Sequence, residues 1–174
     1  MDEFDMPNLG KMHYFFSIEV VQSSVEIFIG QRKYAQEVLE KFQMNDCNFV
    51  QNPIVPCCKL TKDEERVRVD STLYKQIVGS LMSLSATRPN MMFVVSLISR
   101  FMEAPTKLHL QTAKRMLRFL KGTVDYGVFY KKGKGNQLIG FSDSDYARDL
   151  EDGKSTSGQV FMLSLGAVPW SSKK

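Results

Sequence analysis

The hydrophobic period of this chain changes twice, and that constrains its fold more than any other feature. Residues 13–21 and 25–29 are rich in aromatic and β-branched side chains, and Gln22, Ser23 and Ser24 separate them. This reads as two strands of a hairpin. From Gln31 to Phe42 the period becomes helical, with Tyr34, Val38, Leu39 and Phe42 on one face. Residues 45–70 read as irregular, broken by Pro53 and Pro56, with Lys62–Asp70 as a charged surface loop or linker. Asp70-Ser71-Thr72 can cap a helix over Leu73–Leu84. Thr87-Arg88-Pro89 interrupts, because the residue before a proline avoids helix. Met91–Met102 predicts a buried helix, apolar nearly all round. Residues 107–121 predict an amphipathic one ending at Gly122. The period then returns to two over Gly127–Lys131, Leu138–Ser142 and Gln159–Leu165. Hairpin, then helices, then strands implies an α+β fold or parts of separate domains.

Charge is as uneven as the period. Lys107 to Lys134 holds eight basic residues against Asp125 alone, a balance of +7. Gly140 to Gly153 holds Asp143, Asp145, Asp149, Glu151 and Asp152 against Arg148, a balance of −4. The formal net charge of +4 conceals both blocks and permits a nucleic-acid partner without requiring one. On the fourth helix Leu110, Ala113, Leu117 and Leu120 form the apolar face. Lys107, Lys114, Arg118 and Lys121 form a basic stripe, with Arg115 beside it. Such a stripe can track phosphates, or it can be a solvated outer face. Composition excludes several classes. With 43% hydrophobic and 24% charged residues, the 174-residue chain is neither collagen-like, coiled coil nor wholly disordered. No apolar run reaches the roughly 18 residues of a membrane helix. Asp2, Glu3, Asp5 and Glu19 are incompatible with a secretory leader. Three cysteines suggest reduced thiols.

Few residues promise chemistry by themselves. Asp143 and Asp145 follow the apolar run Leu138–Phe141, and strand ends can hold oxygen ligands rigidly for a hard cation. Alone, Asp-x-Asp is more often turn chemistry, because Asp readily bonds its own backbone. Gly153-Lys154-Ser155 lacks a phosphate loop's earlier glycine, since Arg148 stands there. Cys47, Cys57, Cys58, His13 and His109 lack metal-finger spacing.

Several segments together resemble the copia-type long-terminal-repeat retrotransposon Pol polyprotein. They are MPNLGKMHYFFSIEV (6–20), QRKYAQEVLEKFQMNDC (31–47), YKQIVGSLMSLSATRP (74–89), VSLISRFMEAPTKLHLQTAKRMLRFLKGTVDYGVFY (95–130), GFSDSDYARDLEDGKSTSG (140–158) and VPWSSKK (168–174). The resemblance implies that residues 1–70 are the palm-end hairpin and a thumb helix of a reverse transcriptase. Residues 71–135 would be thumb and connection helices, and 136–174 the first strands of a truncated ribonuclease H-like fold. It implies Asp143, or less directly Asp145, as a metal-binding remnant of the ribonuclease H site. Mg2+ is the implied cofactor, used in pairs to activate water and stabilise a leaving oxygen. It implies that Lys107, Lys114, Arg115, Arg118 and Lys121 face an RNA–DNA hybrid or primer–template. The remainder of the polyprotein is a further implied partner, and the setting is intracellular, cytoplasmic or nuclear.

The polymerase Asp-Asp motif belongs before Met1 in that family, and no Asp-Asp pair occurs here. The later ribonuclease carboxylates belong after Lys174. The expectation is therefore a catalytically inactive piece with a residual nucleic-acid surface. Asn8, Asn90, Ser83, Arg148 and Gly153 depart from the family pattern. An alternative is a non-catalytic or domesticated nucleic-acid-binding module. A third reading is a secreted effector, since Arg115-Met116-Leu117-Arg118 fits the Arg-x-Leu-Arg pattern of oomycete effectors. Asp63-Glu64-Glu65-Arg66, however, lies before that motif rather than after it.

Overall fold

The computed structural model describes residues 10–56, 60–62, 67–132, 137–145, 153–163 and 165–174. Cys57, Cys58, Asp63-Glu64-Glu65-Arg66, Lys134 and the acidic loop through Arg148, Asp149, Glu151 and Asp152 lie outside them. The described residues mix helix and strand, as an α+β chain requires.

The first apolar run does not form one strand. It splits into β1 (Tyr14–Phe15) and β2 (Ile18–Gln22). Phe15 pairs with Ile18, leaving a two-residue turn in which Phe16 and Ser17 both have positive φ, 45° and 64°. Such turns match the right-handed twist of flanking strands. The hairpin partner is β3 (Glu26–Gly30), joined to β2 through Val20↔Ile29. Helix α1 (Arg32–Lys41) follows directly.

Helix α2 (Ser71–Leu84) starts as its cap predicts, with Asp70 accepting from the Thr72 N–H at 2.8 Å. Helix α2 ends at Leu84, ahead of Thr87-Arg88-Pro89, and Pro89 opens a short 3-10 turn, Pro89–Met91, followed by α3 (Met92–Ser99). The predicted helix over Met91–Met102 is thus shorter, and Phe93 on it remains exposed. Helix α4 (Lys107–Gly122) runs through Gly122 and ends at Thr123. Gly122 has a packing reason instead: a Cβ there would press on the Phe49 ring at 3.0–3.3 Å. One apolar core lies among the four helices, built from residues such as Leu39, Tyr74, Leu81, Ile98, Met116 and Leu120. Each such large side chain contributes about 1.5–3 kcal/mol by leaving water.

β4 (Gly127–Lys131) does not join the strands after it. It pairs antiparallel with β3, so the first sheet has the order β1-β2-β3-β4 and encloses the helices in sequence. The second sheet is a meander of β5 (Leu138–Asp145), β6 (Thr156–Leu163) and β7 (Gly166–Lys173). Of the predicted strand Gln159–Leu165, residues 159–163 are the end of β6.

Side chains tie the two sheets and the helices together. Tyr130 donates from its hydroxyl to the Ala167 carbonyl at 2.6 Å. Trp170 donates from Nε1 to the Ser85 carbonyl at 3.0 Å, beyond the end of α2. Arg100, just after α3, donates to Thr156 Oγ1 at 2.8 Å.

Candidate functional site

Helix α4 begins with a reciprocal cap. The Thr106 N–H donates to His109 Nδ1 at 3.0 Å, so that nitrogen carries no proton. The His109 ring is buried and stacks on Phe101, with centroids 3.9 Å apart. The histidine the sequence left without a role is thus a helix cap. Ala113, Met116, Leu117, Phe119 and Leu120 face the core.

The opposite face divides the predicted basic stripe in two. Lys107, Lys114 and Lys121 are exposed and repeat every seven residues. At about 100° per residue they lie within about 40° of one another around the helix. Arg115 and Arg118 instead hold the segment after α1 against α4. Arg115 Nε donates to the Asn52 carbonyl at 3.1 Å, and Arg118 Nε to the Asn48 carbonyl at 2.7 Å. The Val50 N–H closes the same contact on the Arg118 carbonyl. Arg115-Met116-Leu117-Arg118 is accordingly helical, with Leu117 in the core.

Asp143 and Asp145 lie on one face of β5, two residues apart. Asp143 is exposed, and its Oδ1 accepts from the Ser144 N–H at 2.8 Å. Asp145 is half-buried and accepts from the Thr156 N–H, closing the β5–β6 end that Arg100 also reaches. Both border a cleft of about 860 Å³ between the second sheet, the Pro89–Phe93 segment and β4. Phe93, Phe129, Phe141, Met162 and Trp170 supply much of its apolar wall. Among the described residues, no group of three or more His, Cys, Asp or Glu side chains converges to hold a metal ion. Two carboxylates fall short of the oxygen set that a pair of divalent ions needs.

Residues that no periodicity flagged position these parts. Arg88 is buried, donating to the Thr123 and Val124 carbonyls, so it locks the end of α4 to the turn before Pro89. Burial pushes its guanidinium down to about 10, against a partial upward pull from Asp125. The buried Gln31 amide nitrogen donates to Thr87 Oγ1 and to the carbonyls of Ser83 and Leu84. The only available signal was polar residues standing where the chain breaks its helices.

A family profile described as reverse transcriptase (RNA-dependent DNA polymerase) matches residues 1–56. Over 171 residues, 98% of its length, the chain is 38% identical to the retrovirus-related Pol polyprotein from transposon RE1 of Arabidopsis thaliana, covering 12% of that protein. Over 172 residues it is 31% identical to an uncharacterized mitochondrial protein of Arabidopsis thaliana, of which it covers 71%. Over 102 residues, 58% of the chain, it is 41% identical to secreted RxLR effector protein 161 of Plasmopara viticola, covering 72% of that protein. No solved structure matches. The chain spans about an eighth of the length of the Pol polyproteins it matches.

Proposed function

The chain belongs to the copia-type retrotransposon Pol polyprotein family, and on that premise we propose that it is the joint between a reverse transcriptase and a ribonuclease H-like unit, serving as a nucleic-acid backbone clamp without catalysis of its own. In this reading residues 1–70 are the end of the palm and a thumb helix, 71–135 the thumb and connection, and 136–174 the start of the ribonuclease H-like fold. The order of the six quoted segments supports it, together with the hairpin leading straight into α1.

The observation that carries the clamp is the row of exposed Lys107, Lys114 and Lys121 along one face of α4. Arg115 and Arg118 flank it, and their Nε groups set the Asn48–Asn52 segment beside it. Ammonium groups so placed can displace counterions from a phosphate backbone, which makes binding salt-dependent. The expected outcome is binding of an RNA–DNA hybrid whose logarithmic salt slope falls by up to about 2–3 in Lys107→Gln/Lys114→Gln/Lys121→Gln. An unchanged affinity and slope would make the row a solvated face.

On their own, Asp143 and Asp145 do not make a catalytic site. Each already accepts a backbone N–H, and together they supply only part of a two-ion site. Magnesium would be held at Asp143 only with donors from elsewhere. Incubation with Mg2+ and an RNA–DNA hybrid should give no cleavage. Cleavage abolished by Asp143→Asn would overturn this. The effector reading has the similarity to the Plasmopara viticola protein behind it. Against it, Leu117 is core, and Arg115 and Arg118 are engaged with neighbouring backbone.

A further inference from the structure

A buried titratable ring stands where two helices of the core begin. His109 is fully buried, and its Nδ1 accepts from the Thr106 N–H at 3.0 Å. Thr106 Oγ1 accepts the His109 N–H in return. Residues 67–69 run alongside this first turn of α4. The Lys107 N–H donates to the Val67 carbonyl at 2.9 Å, and the Val69 N–H to the Pro105 carbonyl at 3.0 Å. Arg68 and Thr106 form an antiparallel bridge between these two bonds. The next residue, Asp70, caps α2. One imidazole nitrogen thus helps to close the corner from which both α2 and α4 start.

That closure needs the neutral ring. An imidazolium donates from both nitrogens, so it would aim a proton at the Thr106 N–H. It would also set a cation at the positive end of the α4 dipole, stacked on the Phe101 ring. Surrounding charges do not compensate. Helix α4 packs on α1, α2 and α3. On α1 the charged residues Arg32, Lys33, Glu37, Glu40 and Lys41 are exposed and Tyr34 is half-buried. On α2, Lys75 is exposed and the buried Tyr74 hydroxyl donates to Ile98. α3 carries no charge, and Arg100 after it reaches Thr156. The buried Arg88 binds at the far end of α4. Around the corner itself Arg68, Asp70, Glu103 and Lys107 are all exposed. Among the described residues no carboxylate is buried. We propose that His109 is a proton-operated latch: the neutral ring holds residues 67–69 against the start of α4, and protonation releases them while the rest of the core stays folded. A free imidazole ionises near about pH 6.5. The closed corner excludes the proton and the open corner accepts it. Closure is therefore fully favoured above about that pH and is lost as pH falls below it. Lys107 opens the lysine row of α4, so release takes one ammonium out of line. That consequence rests on the clamp reading, whereas the latch itself does not.

Amide hydrogen exchange of the full chain, corrected for intrinsic rates, tests the latch. Between about pH 7.5 and about pH 5.5, exchange at Val69, Thr106 and Lys107 should accelerate about tenfold, with the core positions Leu117 and Leu120 unchanged. His109→Gln keeps the reciprocal cap without a titrating group, so it should abolish the acceleration while circular dichroism shows the fold retained. His13→Gln, at an exposed position, should change nothing. The parent chain gives an independent reading, since NMR of the ring nitrogens should place the His109 proton on Nε2 at neutral pH. Acceleration that survives His109→Gln, or that His13→Gln removes, overturns the proposal. So does a constant rate, a proton on Nδ1, or loosening of the whole core together. A latch that opens without changing the salt slope of hybrid binding keeps the proposal and removes Lys107 from the clamp.

Discussion

Tyr74 shows how one residue couples the core to solution conditions. Its hydroxyl donates to the Ile98 carbonyl at 2.7 Å from a fully buried position, joining α2 to α3. Burial pushes the phenol well above its ordinary value of 10.0. The unfolded chain ionises near that value while the folded chain does not, so the stabilisation is complete below about pH 10 and is lost as pH rises beyond it. Burial also raises Tyr130, which adds in the same direction. The melting temperature should therefore fall above pH 10. Tyr74→Phe should flatten that fall, while costing about 0.5–1.5 kcal/mol at neutral pH through the lost hydrogen bond. Tyr74 was legible only as a member of the helix that Asp70 caps, and its burial on the core face comes from the structure. Arg88 and Gln31 were not. A buried cation or amide is justified only by carbonyls on another element, here those after α4 and at the end of α2.

At the scale of elements, caps and periods carried most of the information. Asp70 starts α2 where it should, and α1 and α4 keep their predicted faces. The failures have local causes. Phe16-Ser17 lacks the Asn or Gly that normally announces a turn with both residues at positive φ, so 13–21 reads as one strand. β7 went unread because Pro169 and the serines Ser171 and Ser172 mask its alternation. The Phe16-Ser17 turn should accept better turn chemistry. Phe16→Asn/Ser17→Gly is expected to raise stability by about 1 kcal/mol, measured by urea denaturation with an unchanged m value. The basic stripe was half legible. Its positions follow from helical spacing, but no local signal says that Arg115 and Arg118 reach backbone carbonyls some sixty to seventy residues earlier.

For the whole molecule, the second sheet depends on docking. Gly166 lies so close to Tyr130 that a Cβ would overlap its ring, and Phe129 backbone blocks retreat. Gly166→Ala should loosen β5, β6 and β7 from β4, seen as faster hydrogen exchange confined to residues 137–174. Equal exchange in variant and parent would mean that Trp170 and Arg100 suffice to hold the sheet. Docking was illegible in the sequence, because Gly166 resembles any turn glycine until its neighbour is known. One consequence concerns the order of synthesis. β3 and β4 pair through Glu26↔Lys131, about a hundred residues apart, with every helix of the core between them. A chain leaving the ribosome can close its first hairpin at once. It cannot finish that sheet until α4 and β4 have emerged, so β3 waits with a bare edge while the intervening hundred residues are made. The return of β4 is the long-range closure on which that sheet depends.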